Sequence, residues 1–335
     1  MNSWLKKKNI EISLQRYGID AMNAMALGLF GSLIVGLILK NMGGWLSIPW
    51  LMDMGHFAQK MMGPAIAMAI AYTLQAPVLV IIASLVVGAF AAPLGGPVAV
   101  FLAAVITTEF GKMISKTTPI DIIITPMSTL LVGLLFARLV GPPVQQLMQA
   151  ISHFIAWSVE LQPFIMGMVL AVVMGMLLTL PISSAAIAIS LSLSGLAAGA
   201  STVGCAAQMI GFAVMSIHDN NSGAVISQGI GTSMLQMPNI VRNPRIWLPP
   251  IITSAILGPV ATLYFRMQNL PEGAGMGTSG LVGQIATIDA MGDARQVYWG
   301  IALLHFLLPA LLSYLFYRLL RWKGWIKPGD LTITT

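Results

Sequence analysis

The sequence predicts an all-α, polytopic membrane protein with about ten transmembrane helices, some of them broken or re-entrant at Gly/Pro-rich segments. Three observations predict it. Only 8% of the 335 residues are charged and 57% are apolar, whereas a soluble domain carries roughly 25% charge to cover its surface. Mean hydropathy is +0.84. Apolar runs of about twenty residues, long enough to cross the hydrocarbon core, recur along the chain, and no polar linker divides them.

The elements follow in order. Trp4, Ile10, Leu14 and Tyr17 fall near helical spacing, with Glu11, Gln15 and Arg16 between them. That predicts a short helix on the membrane surface. The run Ala21 to Leu39 is long enough to span, so an uncleaved first span is expected over 20–40. A loop with Trp45, Trp50, Asp53 and His56 comes next, then a short apolar piece, 61–74. Spans 77–92 and 96–111 are separated by Pro93 and Gly95-Gly96-Pro97, and 119–140 ends at Gly141-Pro142-Pro143. Over 143–160, Val144, Leu147, Met148, Ile151, Phe154 and Ile155 form an apolar stripe against Gln145, Gln146, Gln149, Ser152 and His153. This reads as an amphipathic helix connecting an N-terminal membrane half, 1–142, to a C-terminal half, 161–335. The second half continues through 163–181 and 185–216. In the latter, Gly195/Gly199 and Ala198/Thr202 are spaced for close helix packing. A weaker piece, 222–240, precedes spans 247–266 and 297–319. Pieces 61–74 and 222–240 either cross fully or re-enter.

The net charge is +6, but the basic residues are few and scattered, which argues against a nucleic-acid partner. Lys6, Lys7 and Lys8 sit at one end, and Arg318, Arg321, Lys323 and Lys327 at the other. Such clusters mark cytoplasmic flanks. With both termini cytoplasmic, the Lys112/Lys116 and Arg242/Arg245 loops fall inside and the Asp219 loop outside. The one cysteine, Cys205, lies in an apolar run and has no cysteine partner for a disulfide or metal site. No Ser-His-Asp, HExxH or paired-carboxylate pattern asks for a hydrolase, and no catalytic residue, metal or cofactor is expected.

The chemistry is expected where polar, helix-breaking residues lie at membrane depth. Such backbone is tolerated only when it lines a cavity or is buried in protein, and interrupted apolar segments point to transport sites. Five stretches qualify: Thr107–Gly111 with Glu109; Thr117–Pro126 with Thr118 and Asp121; Thr179–Ser184 with Ser183; Gln228–Asn239; and Gly273–Gln284. The last two share Gly-x-Gly-Thr-Ser, at Gly229–Ser233 and Gly275–Ser279, each followed by a glutamine. This predicts an internal repeat whose two tips meet at one site. The alternative is glycine-mediated helix packing plus a surface loop. The candidate solute-binding side chains are Glu109, Asp121, Thr118, Ser183, Gln228, Thr232, Ser233, Asn239, Thr278, Ser279 and Gln284. Their donors and acceptors suit a polyhydroxy or anionic solute. Glu109 is read either as a hydrogen-bond acceptor for a sugar or as half of an interfacial ion pair. Asp121 is read either as a solute contact or as the cap of a helix. His305 faces either a cavity or a neighbouring helix.

The runs TPIDIIITP (118–126), LPISSAAIAISL (180–191), AAGASTVGCAAQMIGFAV (197–214), QGIGTSMLQMPNI (228–240), NPRIWLPP (243–250) and GAGMGTSGLVGQ (273–284) resemble bacterial phosphotransferase-system EIIC membrane proteins, a family that includes the perfringolysin-regulator type. The resemblance implies a sugar permease of the plasma membrane, whose sugar is phosphorylated on delivery by a phosphoryl group relayed from phosphoenolpyruvate to a cytoplasmic EIIB. The sequence shows no EIIA or EIIB domain, and Cys205 in a span is a poor phosphocysteine, so separate EIIA and EIIB proteins are the expected partners, beside membrane lipid and the solute. A homodimer is common among transporters of this design. Two other functions fit the residues: an ion-coupled secondary transporter of a small polar or anionic solute, and a membrane sensor without transport.

Overall fold

The computed structural model describes residues 3–333. Among them the regular structure is helical, and the only β-type pairing is an isolated antiparallel bridge between Gly195 and Asn269. Among the described residues six helices are long and apolar enough to cross a membrane: Gln15–Gly44, Val78–Ile114, Asp121–Val159, Gly195–Met215, Pro244–Tyr264 and Arg295–Trp322. Met62–Thr73 and Pro163–Thr179 are shorter apolar helices. The protein is therefore multi-pass. The chain forms two compact units, Met1–Met148 and Gln149–Thr335.

In the first unit several expectations change. The N-terminal surface helix reduces to one short turn, Ser3–Lys7. The chain then reverses at Asn9 (φ +56°), and Ile10 is buried. Residues 49–60, expected as loop, form the helix Pro49–Lys60, with Pro49 opening it where its missing N–H costs nothing. Segments 77–92 and 96–111 are one helix, Val78–Ile114, interrupted at Gly95 and at Gly96 (φ +61°). Pro97 lacks the N–H that would carry the ladder across that point, and Gly96 supplies the left-handed step. Glycines also let helices touch. A Cβ added at Gly63 would lie 2.3 Å from the Gly88 carbonyl oxygen, so Met62–Thr73 and Val78–Ile114 meet backbone to backbone. The helix from Asp121 continues through Gly141-Pro142-Pro143 to Val159, so 143–160 prolongs it rather than starting anew. Leu131, Leu135 and Leu139, four residues apart, form an exposed stripe on it, as a lipid-facing surface requires.

The second unit is built around Gly195–Met215, which is buried on nearly every side. Its sequence is apolar or small all round, which suits a central helix better than a surface one. Pro163–Thr179 and Leu248–Pro259 pack on it and on each other. Added Cβ atoms at Gly204 and Gly258 would overlap the Ala171 and Gly167 carbonyls. Of the small-residue pairs read from the sequence, Gly199 makes a close approach, to the Met267 carbonyl. Gly195 instead supplies a left-handed turn (φ +62°) at the helix start.

The remainder of this unit consists of broken helix. The expected helix over 185–216 divides into Ser184–Ser190 and Gly195–Met215. Piece 222–240 is four short turns: Ser222–Ile226, the wide turn Ser227–Gly231, the tight turn Ser233–Gln236 and Met237–Arg242. Thr232 is fully extended between two of them. Residues 271–291 run as Pro271–Ala274, an irregular Gly-rich tip, and Val282–Met291. In that tip Gly277, Gly280 and the non-glycine Leu281 all have φ near +55°, and backbone strain of this kind concentrates at functional sites.

Candidate functional site

The two Gly-x-Gly-Thr-Ser tips dock on each other. Thr278 donates its hydroxyl to the Gly229 carbonyl at 2.5 Å, and Ser279 donates to the Gly231 carbonyl at 2.8 Å. All four groups are buried. The second tip also abuts the break after Pro163–Thr179, where Ser184 donates to the Gly275 carbonyl at 2.7 Å. Ser201 of the central helix donates to the Ala274 carbonyl. Asn269 ties the base of the tip to the central helix. Its amide lies within hydrogen-bond distance of Thr202, the Gly283 carbonyl and Thr287. Carbonyls freed by broken helix thus receive side-chain hydroxyls and amides, as buried backbone demands. Three of the five stretches singled out in the sequence converge here.

Beside this junction lies a polar corner. Ser233 and Thr179 share a hydrogen bond at 2.8 Å. The Thr179 hydroxyl is 3.3 Å from Gln208 Oε1, and the Trp247 indole N–H donates to the same oxygen at 2.9 Å. Gln208 is fully buried, yet its Nε2 has no hydrogen-bond partner. Leaving such a donor unpaired costs about 1–3 kcal/mol, and this amide N–H is available to an acceptor from outside the chain. Gln208, Thr179 and Trp247 were not among the candidate side chains. The available signal was that Gln208 is the only amide in the otherwise apolar and small-residue run Gly195–Met215.

A second buried pair joins Val282–Met291 to the last span. Gln284 and His305 hydrogen-bond at 3.0 Å through Gln284 Nε2 and His305 Nδ1, while Gln284 Oε1 and His305 Nε2 have no partner. His305 therefore faces a neighbouring element, not solvent.

Other candidates serve the chain itself. Ser183 accepts from the Ala186 N–H and caps Ser184–Ser190. Thr232 accepts from the Met234 N–H and opens the tight turn. Gln228, Gln236 and Asn239 form a buried chain of amides. Gln228 donates to Ser216 at 2.8 Å and accepts from Gln236 at 2.8 Å, and Gln236 accepts from Asn239 at 2.8 Å. Gln236 then donates to the Leu331 carbonyl, and Asn239 to the Thr332 carbonyl, both at 2.9 Å. Asn220 adds bonds to the Leu331 carbonyl and the Ile333 N–H. The segment after the last span is thereby strapped down, with Ile326, Leu331 and Ile333 buried, and the Asp219 loop lies on the same side as this segment, not on the opposite side as the charge pattern predicts. Truncation after Pro328 should remove the tail carbonyls that accept from Gln236, Asn239 and Asn220 and lower the thermal midpoint by several degrees, roughly the effect of 1–3 kcal/mol. An unchanged melting curve would show that the strap carries no stability.

In the first unit, Glu109 sits in an ion-paired cluster. Lys112 Nζ lies 2.9 Å from its carboxylate and Arg16 Nε 3.7 Å. Lys112 and Arg16 also both donate to the Leu74 carbonyl, at 3.0 and 2.9 Å. Asp121 accepts from the Lys116 N–H and the Thr125 hydroxyl, each at 2.6 Å, which closes the turn that starts its helix. Thr118 Oγ1 is enclosed without a hydrogen-bond partner. Among the described residues no group of His, Cys, Asp and Glu could hold a metal ion, and Cys205 is a buried free thiol.

Among protein families, the model for the phosphotransferase-system EIIC domain matches residues 19–333. The match is to the EIIC domain as such and does not separate out the perfringolysin-regulator type. No curated protein and no solved structure matches the chain.

Proposed function

Since the chain belongs to the phosphotransferase-system EIIC family, the membrane sugar-transport component of that system, we propose that it is a permease of the bacterial plasma membrane that holds its sugar at the Gln208 corner and delivers it by alternating access. The observation that carries this reading is the buried, unpartnered Gln208 amide beside two interlocked breaks in membrane helices. The amide donates to a sugar hydroxyl, the Thr179–Ser233 pair exchanges hydrogen bonds with a second, and the Trp247 ring receives the apolar face of the sugar. Discontinuous helices of this kind form the solute site in membrane transporters, and the surrounding bundle rocks around it to open each side in turn. Glu109 and Asp121 hold helix ends, and the solute is polar and uncharged. The termini are cytoplasmic, where separate EIIB and EIIA proteins supply the phosphoryl group.

The test is equilibrium binding of a panel of sugars to the purified protein and to Gln208→Met, which keeps the volume and removes the donor. Affinity should fall about 10- to 100-fold, and the midpoint should drop by only a few degrees, because the Trp247 N–H loses its acceptor. Equal affinity in both proteins would move the sugar site away from Gln208.

A further inference from the structure

In the second unit, His218, Arg318, Arg321 and Trp322 line an open cleft of about 480 Å³. Arg318 and Arg321 are three residues apart on Leu308–Trp322, hence neighbours on one helix face. Arg321 is oriented by its bond to the Tyr317 hydroxyl at 2.9 Å. No carboxylate lines the cleft. Asp219, next to His218, accepts from the Leu331 N–H, and Asp330 accepts from the Lys327 N–H and from Asn243. Two guanidinium groups and an imidazole therefore face one opening without an acid among its walls, an arrangement suited to a phosphate.

Position identifies the source of that phosphate. Leu311 and Leu315 are exposed on the same helix, and Arg318 and Trp322 follow at seven and eleven residues from Leu311, on the same face. The apolar stripe runs straight into the basic cleft, and Trp322 is 83% exposed at its rim. Tryptophan with arginine at the end of a span is the pattern of the headgroup level. We propose that this cleft binds the phosphate of an anionic phospholipid, with the acyl chains lying along the leucine stripe. A free phosphate would use the guanidinium groups but gain nothing from the stripe.

The experiment is a thermal-shift titration of the full-length protein in neutral detergent with phosphatidylglycerol, phosphatidylcholine or inorganic phosphate. Phosphatidylglycerol should raise the midpoint saturably, and the other two should not. The double substitution Arg318→Gln with Arg321→Gln should weaken the apparent affinity for phosphatidylglycerol at least tenfold, and Arg318→Gln alone about fivefold. Lys327→Gln, outside the cleft, should leave it unchanged. Should the double variant fail to fold, the single variant decides, because the Arg318 side chain is exposed. A phosphatidylglycerol response indifferent to both variants would overturn the site. An equal response to inorganic phosphate, lost with the same substitutions, would overturn the lipid as its ligand.

Discussion

Gly277→Ala should abolish the folded protein or lower its stability by on the order of 3 kcal/mol or more. Two independent constraints act at this position. Its φ of +55° lies in the left-handed region, which an alanine side chain disfavours. An added Cβ would also come within 2.7 Å of the Cys205 carbonyl carbon and 2.8 Å of the Ala206 nitrogen, which belong to the backbone of the central helix and cannot swing aside. The tip would have to lift, and with it the bonds from Thr278 and Ser279 to the facing carbonyls. Gly229→Ala, in the other copy of the motif, is the control. There a Cβ would meet nothing closer than Ala213 Cβ at 3.5 Å, ordinary contact, so its midpoint should stay within about 1 °C of the parent, corresponding to under about 1 kcal/mol. Size-exclusion profiles and melting curves in detergent read both. Matched stability of the two variants would show that the tip does not press against the central helix.

Glu109→Gln should destabilise the first unit by about 3 kcal/mol without removing sugar binding from the protein that folds. Lys112 is only 2% exposed, and with the carboxylate gone its ammonium would keep the Leu74 carbonyl as an uncharged partner. An uncompensated buried cation costs more than the intact pair contributes. The double variant Glu109→Gln with Lys112→Met should therefore be more stable than Glu109→Gln alone, because the second change removes the stranded charge. A folded, stable Glu109→Gln that had lost the solute would make Glu109 a solute contact instead.

The docking of the two tips was legible because the sequence writes Gly-x-Gly-Thr-Ser twice, and the hydroxyls of the second copy reach carbonyls of the first. Local chemistry of this kind survives in a single sequence. The Gln208 corner was not legible. Its partners lie 29 and 39 residues away, at Thr179 and Trp247, and no spacing rule joins a lone amide to them. Gln228 and Asn239 showed the opposite difficulty. Their type and setting suggested a solute, but the structure connects Asn239, and Gln228 through Gln236, to carbonyls of a tail more than ninety residues on. The helical class was visible throughout, whereas the number of spans was not. Pro93, Gly95, Gly96 and Pro97 punctuate Val78–Ile114 strongly enough to read as a loop, yet glycine's left-handed freedom lets the helix resume after one step.

The most direct measurement is binding and uptake by the purified protein in liposomes, across sugars and small anions, with and without a pH or sodium gradient and then with phosphorylated EIIB added. A sugar permease of the phosphotransferase system should bind at least one sugar saturably, accumulate nothing under a gradient, and deliver that sugar as its phosphate once EIIB is present. Gradient-driven accumulation of a non-sugar, with no sugar bound, would contradict it.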